Sequence, residues 1–190
     1  MPRKKVITDE MLLDFGFKYL QKYGFEKFTA RDVAKEFSIS TQPIYGAFQN
    51  MEKYKRAVLD HVFHYMFDVK LAEKYADDPL VSLGIAFIRF SEENPNLYRA
   101  LFVEGFARNQ DMFDYSFDNF KKLVLVSDKY KNLAADRVEA LHVRIWVVVN
   151  GMAASSIAGI RSYNDEYLKA IFEEIITAII NNPKLVPLSR

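Results

Sequence analysis

Gln42 and Tyr45 carry the most informative chemistry in this chain, because both side chains can bind nucleic acid. A glutamine amide can donate and accept hydrogen bonds at the edge of a base, and a tyrosine hydroxyl can bond a phosphate oxygen. They lie with Thr41 and Gly46 in the segment TQPIYGAF, which contains no charged residue. We expect these four residues to form an exposed surface that fits a DNA groove.

Two short helices must position these side chains. In the first, Thr29 can accept a hydrogen bond from the free amides that open a helix, and Asp32 places negative charge at the same end. Val33, Ala34 and Phe37 follow at helical spacing and are predicted to face inward.

The second helix is predicted from about Thr41 to Phe48, after a tight turn. Ser40 can cap it, and Pro43 is tolerated in its first turn because no intrahelical amide bond is due there. Ile44 and Phe48 would face inward. Two helices joined by a tight turn have the layout of a helix-turn-helix, which predicts DNA binding; a small structural hairpin of helices is the alternative.

The segment resembles the DNA-binding domain of the TetR/AcrR family of bacterial transcriptional repressors. The family pattern T-x-x-x-[IV]-A, a turn, and [IL]-Y-x-x-F is met by Thr29, Val33, Ala34, Ile44, Tyr45 and Phe48. The chain departs from the pattern at Ser38, where the family usually has Gly, and at Met51, where it usually has Lys. At Ser38 a residue with a Cβ must therefore adopt the conformation of the tight turn. Lys53 and Lys55 are close enough to Met51 to replace the phosphate contact that the usual lysine would make.

The resemblance implies which residues contact DNA. Gln42 would read a base edge and Tyr45 would bond a phosphate, while side chains on either side clamp the DNA backbone. The predicted DNA-binding residues are Thr29, Arg31, Ser40, Thr41, Gln42, Pro43, Tyr45, Gln49, Lys53 and Lys55.

Charge supports nucleic-acid binding at this end of the chain. The 190 residues have a net charge of only +1, but residues 1–56 contain eleven Lys and Arg against seven Asp and Glu, a balance of +4. The remaining residues have a balance of −3. Arg3, Lys4 and Lys5 could add phosphate or minor-groove contacts, and an ordinary solvated terminus is the alternative.

The sequence lacks the parts of an enzyme. It has no G-x-S-x-G motif around Ser155 or Ser156, no phosphate-binding glycine-rich loop and no cysteine. His61 and His64 could share a helix face and hold a divalent metal, but a solvated face is the more common explanation. We predict no enzymatic activity, no cofactor and no metal site. Because the N-terminus lacks an apolar signal segment, we expect a cytoplasmic protein.

Helical periodicity predicts an all-α fold of about nine helices. Residues 1–50 would form a three-helix helix-turn-helix domain, and residues 51–190 a helical domain for effector binding and dimerisation. A continuous helix from Met51 to about Tyr75 would connect them. The uncharged stretch Ile145–Ile160 is rich in valine but continues a helical pattern, and it is shorter than the roughly twenty apolar residues of a membrane span.

The last two helices are predicted to form a homodimer. Both offer more apolar surface than a small helical domain can cover, although both stripes could also be buried inside one subunit. TetR-like proteins pair through these helices, and a two-fold pair of recognition helices fits two half-sites of operator DNA. The stretch after Trp146 also resembles a TetR subgroup with a W-x-x-x-H-G pattern, but Asn150 replaces the histidine before Gly151.

Aromatic residues are dense between residues 60 and 120, which contain thirteen Phe and Tyr. In the TetR family this region forms an effector pocket, and aromatic walls suit an apolar or aromatic small molecule. The predicted pocket residues are Phe63, Phe67, Phe87, Phe102, Phe106, Phe117, His142 and Trp146. For each residue singly, core packing is the alternative. The resulting hypothesis is a repressor that an effector releases from its operator; a TetR-like protein-protein adaptor without DNA binding is the alternative.

Overall fold

A computed structural model describes residues 7–104 and 109–182, without the side chains of residues 109–111. Within these ranges the chain has nine α-helices, one π-helical segment and no strand, which confirms the predicted all-α fold. The helices are α1 (Asp9–Tyr23), α2 (Ala30–Glu36), α3 (Gln42–Phe48), α4 (Met51–His64), α5 (Pro79–Glu93), α6 (Pro95–Phe102), α7 (Asn109–Val126), α8 (Ala135–Ile157) and α9 (Asp165–Asn181). The π-helical segment, Tyr65–Lys70, directly follows α4. The N-terminal cations Arg3, Lys4 and Lys5 lie outside the described residues.

The described chain forms two compact units. The first contains α1 to α4 and α6, so it extends beyond the predicted domain of residues 1–50; the second contains α5 and α7 to α9. The division falls inside the π-helical segment, between Met66 and Phe67. The prediction of a continuous α-helix to Tyr75 is therefore wrong beyond His64. A π turn takes more residues than an α turn, and no Gly or Pro marks it in the sequence.

Side-chain caps fix the starts of three helices in the first unit. Thr8, Thr29 and Asn50 each accept a hydrogen bond from the backbone amide three residues later, as N-cap residues do. Helix α3 has no such cap. Thr41 occupies its N-cap position with the helical angles φ −75° and ψ −16°, instead of the extended backbone that a capping side chain needs. The prediction that Ser40 caps this helix is wrong.

Helix α5 forms the centre of the second unit and packs on α8 and α9. Ten of its fifteen residues are buried. Gly84 lets α9 come close, since a Cβ there would lie 2.7 Å from the ring of Phe172. Arg89 then joins the end of α5 to the start of α9 through the carbonyl of Tyr163 and the carboxylate of Asp165.

Helix α8 confirms the helical interpretation of the valine-rich stretch. Its residues Val138, Leu141, Ile145 and Val149 recur at helical spacing and are buried. Among the helices of the described ranges, only α8 is long and apolar enough to span a membrane by length and composition. Core helices of soluble proteins also have this length and composition.

The turn after α2 is a Schellman motif with a serine at its left-handed position. The amide of Ile39 donates to the carbonyl of Ala34, the amide of Ser38 donates to that of Lys35, and Ser38 has a φ of 54°. A Cβ in this conformation costs about 1 kcal/mol or more. Helix α8 ends in the same motif, but with Gly159 at the equivalent position, at a φ of 70°.

We expect Ser38→Gly to stabilise the first unit by roughly 0.5–1 kcal/mol. Glycine removes the steric cost of the left-handed conformation but adds freedom to the unfolded chain, so the gain is smaller than the full cost. The free energy of unfolding in urea measures it. The reciprocal control, Gly159→Ser, should destabilise the protein by a similar amount. Equal stability of Ser38→Gly and wild type would contradict the strain at this turn.

Candidate DNA-binding surface and ligand cavity

Tyr54 of α4 holds α3 in place. Its side chain is fully buried, and its hydroxyl donates a hydrogen bond of 2.6 Å to the carbonyl of Leu12 in α1. Its ring packs against Phe48 of α3 with 4.9 Å between centroids, and against Phe28 with 5.6 Å. Burial raises the pKa of Tyr54, so the hydroxyl remains a donor. Ile44 is fully buried and provides the inward contact of α3, as predicted.

The outer face of α3 presents Gln42, Tyr45 and Gly46 to solvent. Tyr45 is 47% exposed, and a Cβ added to Gly46 would meet no described atom within 4 Å. Thr41 and Pro43 are half-buried beside them. This face therefore offers an amide, a phenol and a bare stretch of backbone, which together can enter a DNA groove.

Basic side chains border α3 from the neighbouring helices. Arg31 of α2 and Lys53 of α4 are both exposed. The Lys53 ammonium donates a hydrogen bond of 2.6 Å to Oε1 of Gln49, at the C-terminal end of α3. The Lys55 ammonium lies 5.7 Å from the centroid of the Phe25 ring. The structure thus brings Lys53 and Gln49 together as a pair at one end of α3.

Thr29 and Ser40 are also exposed, but the hydroxyl of Thr29 is already used. It accepts from the amide of Asp32 at 3.2 Å and donates to the carboxylate of Asp32 at 2.5 Å. A DNA phosphate would have to compete with that carboxylate for the same proton. All ten predicted DNA-binding residues lie in the first unit, and their contacts with DNA remain a prediction.

The second unit contains a cavity of about 170 Å³. Its walls come from the π-helical segment and the turn after it, and from α5, α7 and α8. The lining residues are Phe67, Leu71, Ala72, Leu83, Gly84, Phe87, Ser116, Asn119, Phe120, Leu123, His142, Ile145, Trp146 and Val149. None of these described residues is an aspartate, glutamate, lysine or arginine. The walls are therefore apolar and aromatic, with a few neutral polar groups.

Half of the predicted pocket residues line this cavity: Phe67, Phe87, His142 and Trp146. Phe117 is not in the lining, but its ring contacts that of His142 with 5.0 Å between centroids. Phe63 and Phe102 belong to the first unit, and Phe106 lies outside the described residues. The number of aromatic residues in a stretch of sequence does not show which of them line the cavity, because it does not show which unit each helix belongs to.

Several lining residues are not among the predicted pocket residues, although helical spacing relates them to one another. Ser116, Phe120 and Leu123 recur at intervals of four and three residues along α7, and Val149 follows His142 by seven residues along α8. These intervals place each set on one side of its helix. Extending the helical period from the aromatic residues places both sets on inward faces, but it does not separate cavity lining from core.

His142 is the buried polar group of the cavity wall, with 3% of its surface exposed. Its Nε2 lies 2.9 Å from the hydroxyl of Ser116, and its buried Nδ1 has no hydrogen-bond partner among the described residues. The rings of Phe113, Phe117 and Phe120 surround it, with centroids 4.8, 5.0 and 5.4 Å away. Burial lowers the pKa of His142 to about 4, so its imidazole is uncharged at neutral pH.

Among the described residues, His61 and His64 do not belong to a metal-binding group. Within the described residues, no group of three or more His, Asp or Glu could hold a metal ion. The ring of His61 instead packs edge-on against Phe17, with 5.7 Å between centroids.

We expect His142 to make the folded protein acid-sensitive between pH 6.5 and 4. In that window the unfolded chain binds a proton at this residue and the folded chain does not, because the pKa falls from 6.5 to about 4 on folding. The contribution is fully present above pH 6.5 and is lost as the pH falls, by roughly 3 kcal/mol in total. Urea unfolding of wild type and His142→Leu across this window measures the difference. Parallel stability curves would contradict the prediction, and His61→Leu is the exposed control.

Comparisons with known proteins bear on the fold. No family model and no curated protein matches the chain. Among solved structures, the multidrug binding protein EbrR in complex with imidazole is 17% identical with a TM-score of 0.58, over 92% of this chain and 90% of that one. A TetR variant from Acinetobacter baumannii AYE in complex with minocycline is 14% identical with a TM-score of 0.57, over 92% and 95%. NalD, the secondary repressor of the MexAB-OprM multidrug efflux pump in Pseudomonas aeruginosa, is 13% identical with a TM-score of 0.55, over 89% and 94%. The chain therefore has the fold of the TetR-family regulators.

Proposed function

We propose that this protein is a cytoplasmic transcriptional regulator of the TetR type, a repressor that a small apolar or aromatic effector releases from its operator. The outer face of α3 supports this proposal most directly. It presents Gln42 and Tyr45 on an uncharged helix, anchored by Ile44 and bordered by Arg31 and Lys53. The fold that this chain shares with the repressor NalD and with ligand-bound EbrR is consistent with it.

In this function α3 enters the major groove. Gln42 forms hydrogen bonds with a base edge, whereas Tyr45, Arg31 and Lys53 contact phosphates. The balance of +4 in residues 1–56 draws this unit to DNA and makes its binding dependent on salt. Specific recognition then depends on α3, and general affinity depends on the surrounding cations.

A homodimer supplies the second recognition helix. Val147 of α8 is 64% exposed, and Gly151, Ala154 and Ala158 continue an exposed, uncharged face at helical spacing. A Cβ added to Gly151 would meet no described atom within 4 Å. Small side chains on such a face let a partner helix approach closely. We propose that α8 and α9 pair with their counterparts in a four-helix bundle, which places two α3 helices on two half-sites.

Effector binding would act through the chain that connects the two units. Phe67 lines the cavity and lies in the π-helical segment that directly follows α4. Helix α4 in turn carries Tyr54, which packs against α3. An effector that displaces Phe67 can favour one position of α4 over another, and operator affinity falls if the effector binds the released state more tightly.

We expect Gln42→Ala and Lys53→Ala to weaken operator binding in different ways. Loss of the base-reading amide should relax the preference at one base position by about 1–3 kcal/mol. Loss of the ammonium should weaken all sequences alike and reduce the salt slope by about 1. Gel-shift titrations against the DNA upstream of the gene, against single-base variants of the bound site and at several salt concentrations measure both effects.

Lys18→Ala is the matched control for Lys53→Ala, because it removes the same charge from an exposed lysine that pairs with Asp14 on α1. It should leave operator binding nearly unchanged. If Gln42→Ala weakened binding to all sequences alike and Lys53→Ala relaxed the preference at one base position, these assigned contacts would be wrong. Absence of any salt-sensitive, two-fold symmetric footprint in the genome would reject the repressor itself.

We expect Val147→Glu to separate the dimer into monomers. A carboxylate in an apolar helix interface loses its hydration without gaining a partner, which should raise the dimer dissociation constant at least tenfold. Sedimentation velocity measures it, and operator affinity should fall with it. Val126→Glu is the control, since Val126 is 81% exposed at the end of α7. A dimer that tolerates Val147→Glu would place the interface elsewhere.

A further inference from the structure

We infer that the cavity of the second unit binds an uncharged phenol with a single aromatic ring, whose hydroxyl bonds to the unsatisfied Nδ1 of His142. This inference rests on the proposed function, in which the cavity holds the effector. It goes further by naming the chemical class of that effector. Three properties of the cavity lead to it: its volume, the absence of charge from its walls, and the unsatisfied nitrogen of His142.

The volume selects a small molecule. The cavity measures about 170 Å³, and a protein cavity of about 150 Å³ lined by Leu, Ile and Phe is large enough to bind benzene. One ring with one or two small substituents therefore fills this space. Phe67, Phe87 and Trp146 give it aromatic walls, against which a ring can stack or pack edge-on.

The walls select a neutral molecule. No aspartate, glutamate, lysine or arginine is among the described lining residues, so a charged ligand would find no counter-ion. An ion taken out of water costs several kcal/mol, whereas a cation over an aromatic face recovers only about 2 kcal/mol. The aromatic walls alone therefore do not compensate a buried ammonium group, and they offer a carboxylate no cation.

The unsatisfied nitrogen selects a hydroxyl. If the Ser116 hydroxyl donates to Nε2 of His142, Nδ1 carries the proton and needs an acceptor; if Nε2 donates to Ser116, Nδ1 needs a donor. The surrounding rings of Phe113, Phe117 and Phe120 provide neither. A hydroxyl can donate or accept, so it satisfies Nδ1 in both tautomers, and a phenol remains uncharged at neutral pH.

The test uses four single-ring probes of similar size and the full-length protein at neutral pH: p-cresol, p-xylene, benzylammonium and benzoate. Calorimetry gives the affinities, and the fluorescence of Trp146, the only tryptophan of the chain, reports binding in the cavity itself. We expect p-cresol to bind about fivefold to tenfold more tightly than p-xylene, which is the value of one hydrogen bond. Neither ion should bind measurably. Equal affinity for p-cresol and p-xylene, tighter binding of either ion, or no binding of p-cresol would each overturn the inference.

Two variants assign the preference to Nδ1 of His142. His142→Phe should abolish the advantage of p-cresol, while p-xylene, which needs no hydrogen bond, still binds and shows that the cavity is intact. Ser116→Ala removes only the partner of Nε2 and leaves Nδ1 in place, so it should retain the advantage. His61→Phe, at an exposed position of the first unit, should retain the advantage. If p-cresol keeps its advantage in His142→Phe or loses it in Ser116→Ala, the hydroxyl does not bond to Nδ1 and the assignment is wrong.

Operator binding, measured separately by gel shift with and without p-cresol, distinguishes this inference from the proposed function. Binding of p-cresol that leaves operator affinity unchanged would contradict release by the effector and support the ligand class. Operator binding by a protein that does not bind p-cresol would overturn the ligand class and leave the regulator standing.

Discussion

The first unit depends on the close approach of α1 and α4 at Gly16. A Cβ at this position would lie 2.3 Å from Cγ2 of Val58 and 2.8 Å from the hydroxyl of Tyr54. Because glycine leaves this space empty, Tyr54 can insert fully and donate its hydrogen bond to the carbonyl of Leu12. The same ring then supports Phe48 at the end of α3. The orientation of the predicted DNA-reading face therefore follows from a contact on the opposite, buried side of the unit.

The sequence predicted those features whose cause is local. Thr29 caps its helix because capping needs only the next three residues, and Ile44 is buried because the helical period places it inward. Ser38 occupies the left-handed turn where the TetR pattern has Gly. Features that depend on distant residues could not be predicted. The π-helical turn after His64 has no local marker, and neither Gly16 nor Tyr54 shows its partner in the sequence.

The cavity illustrates the same limit at the candidate binding site. Helical spacing distinguishes inward from outward positions, but a residue that lines a cavity and one that fills a core have the same spacing. Phe120 lines the cavity, whereas Phe117, three residues earlier, packs against His142 without lining it. Only the positions of the neighbouring helices decide between the two. Sequence therefore predicted an aromatic cavity and His142 in it, but not its polar partner Ser116 or its size.

The described helical glycines fall into two groups. One group permits close packing within the chain, and the other lies on surfaces that are open to other molecules. A glycine inside a helix costs roughly 0.5–1 kcal/mol relative to alanine, so each one needs a compensating contact. In the described helices, Gly16 and Gly84 have one, since a Cβ would collide with Val58 or Phe172. Gly46 and Gly151 have no described neighbour within 4 Å, so packing within the chain does not explain them. Gly46 lies on the outer face of α3 and Gly151 on that of α8. Their cost is compensated if DNA closely approaches Gly46 and a partner helix closely approaches Gly151. The two glycines therefore support both proposed interfaces, independently of charge or exposed apolar area.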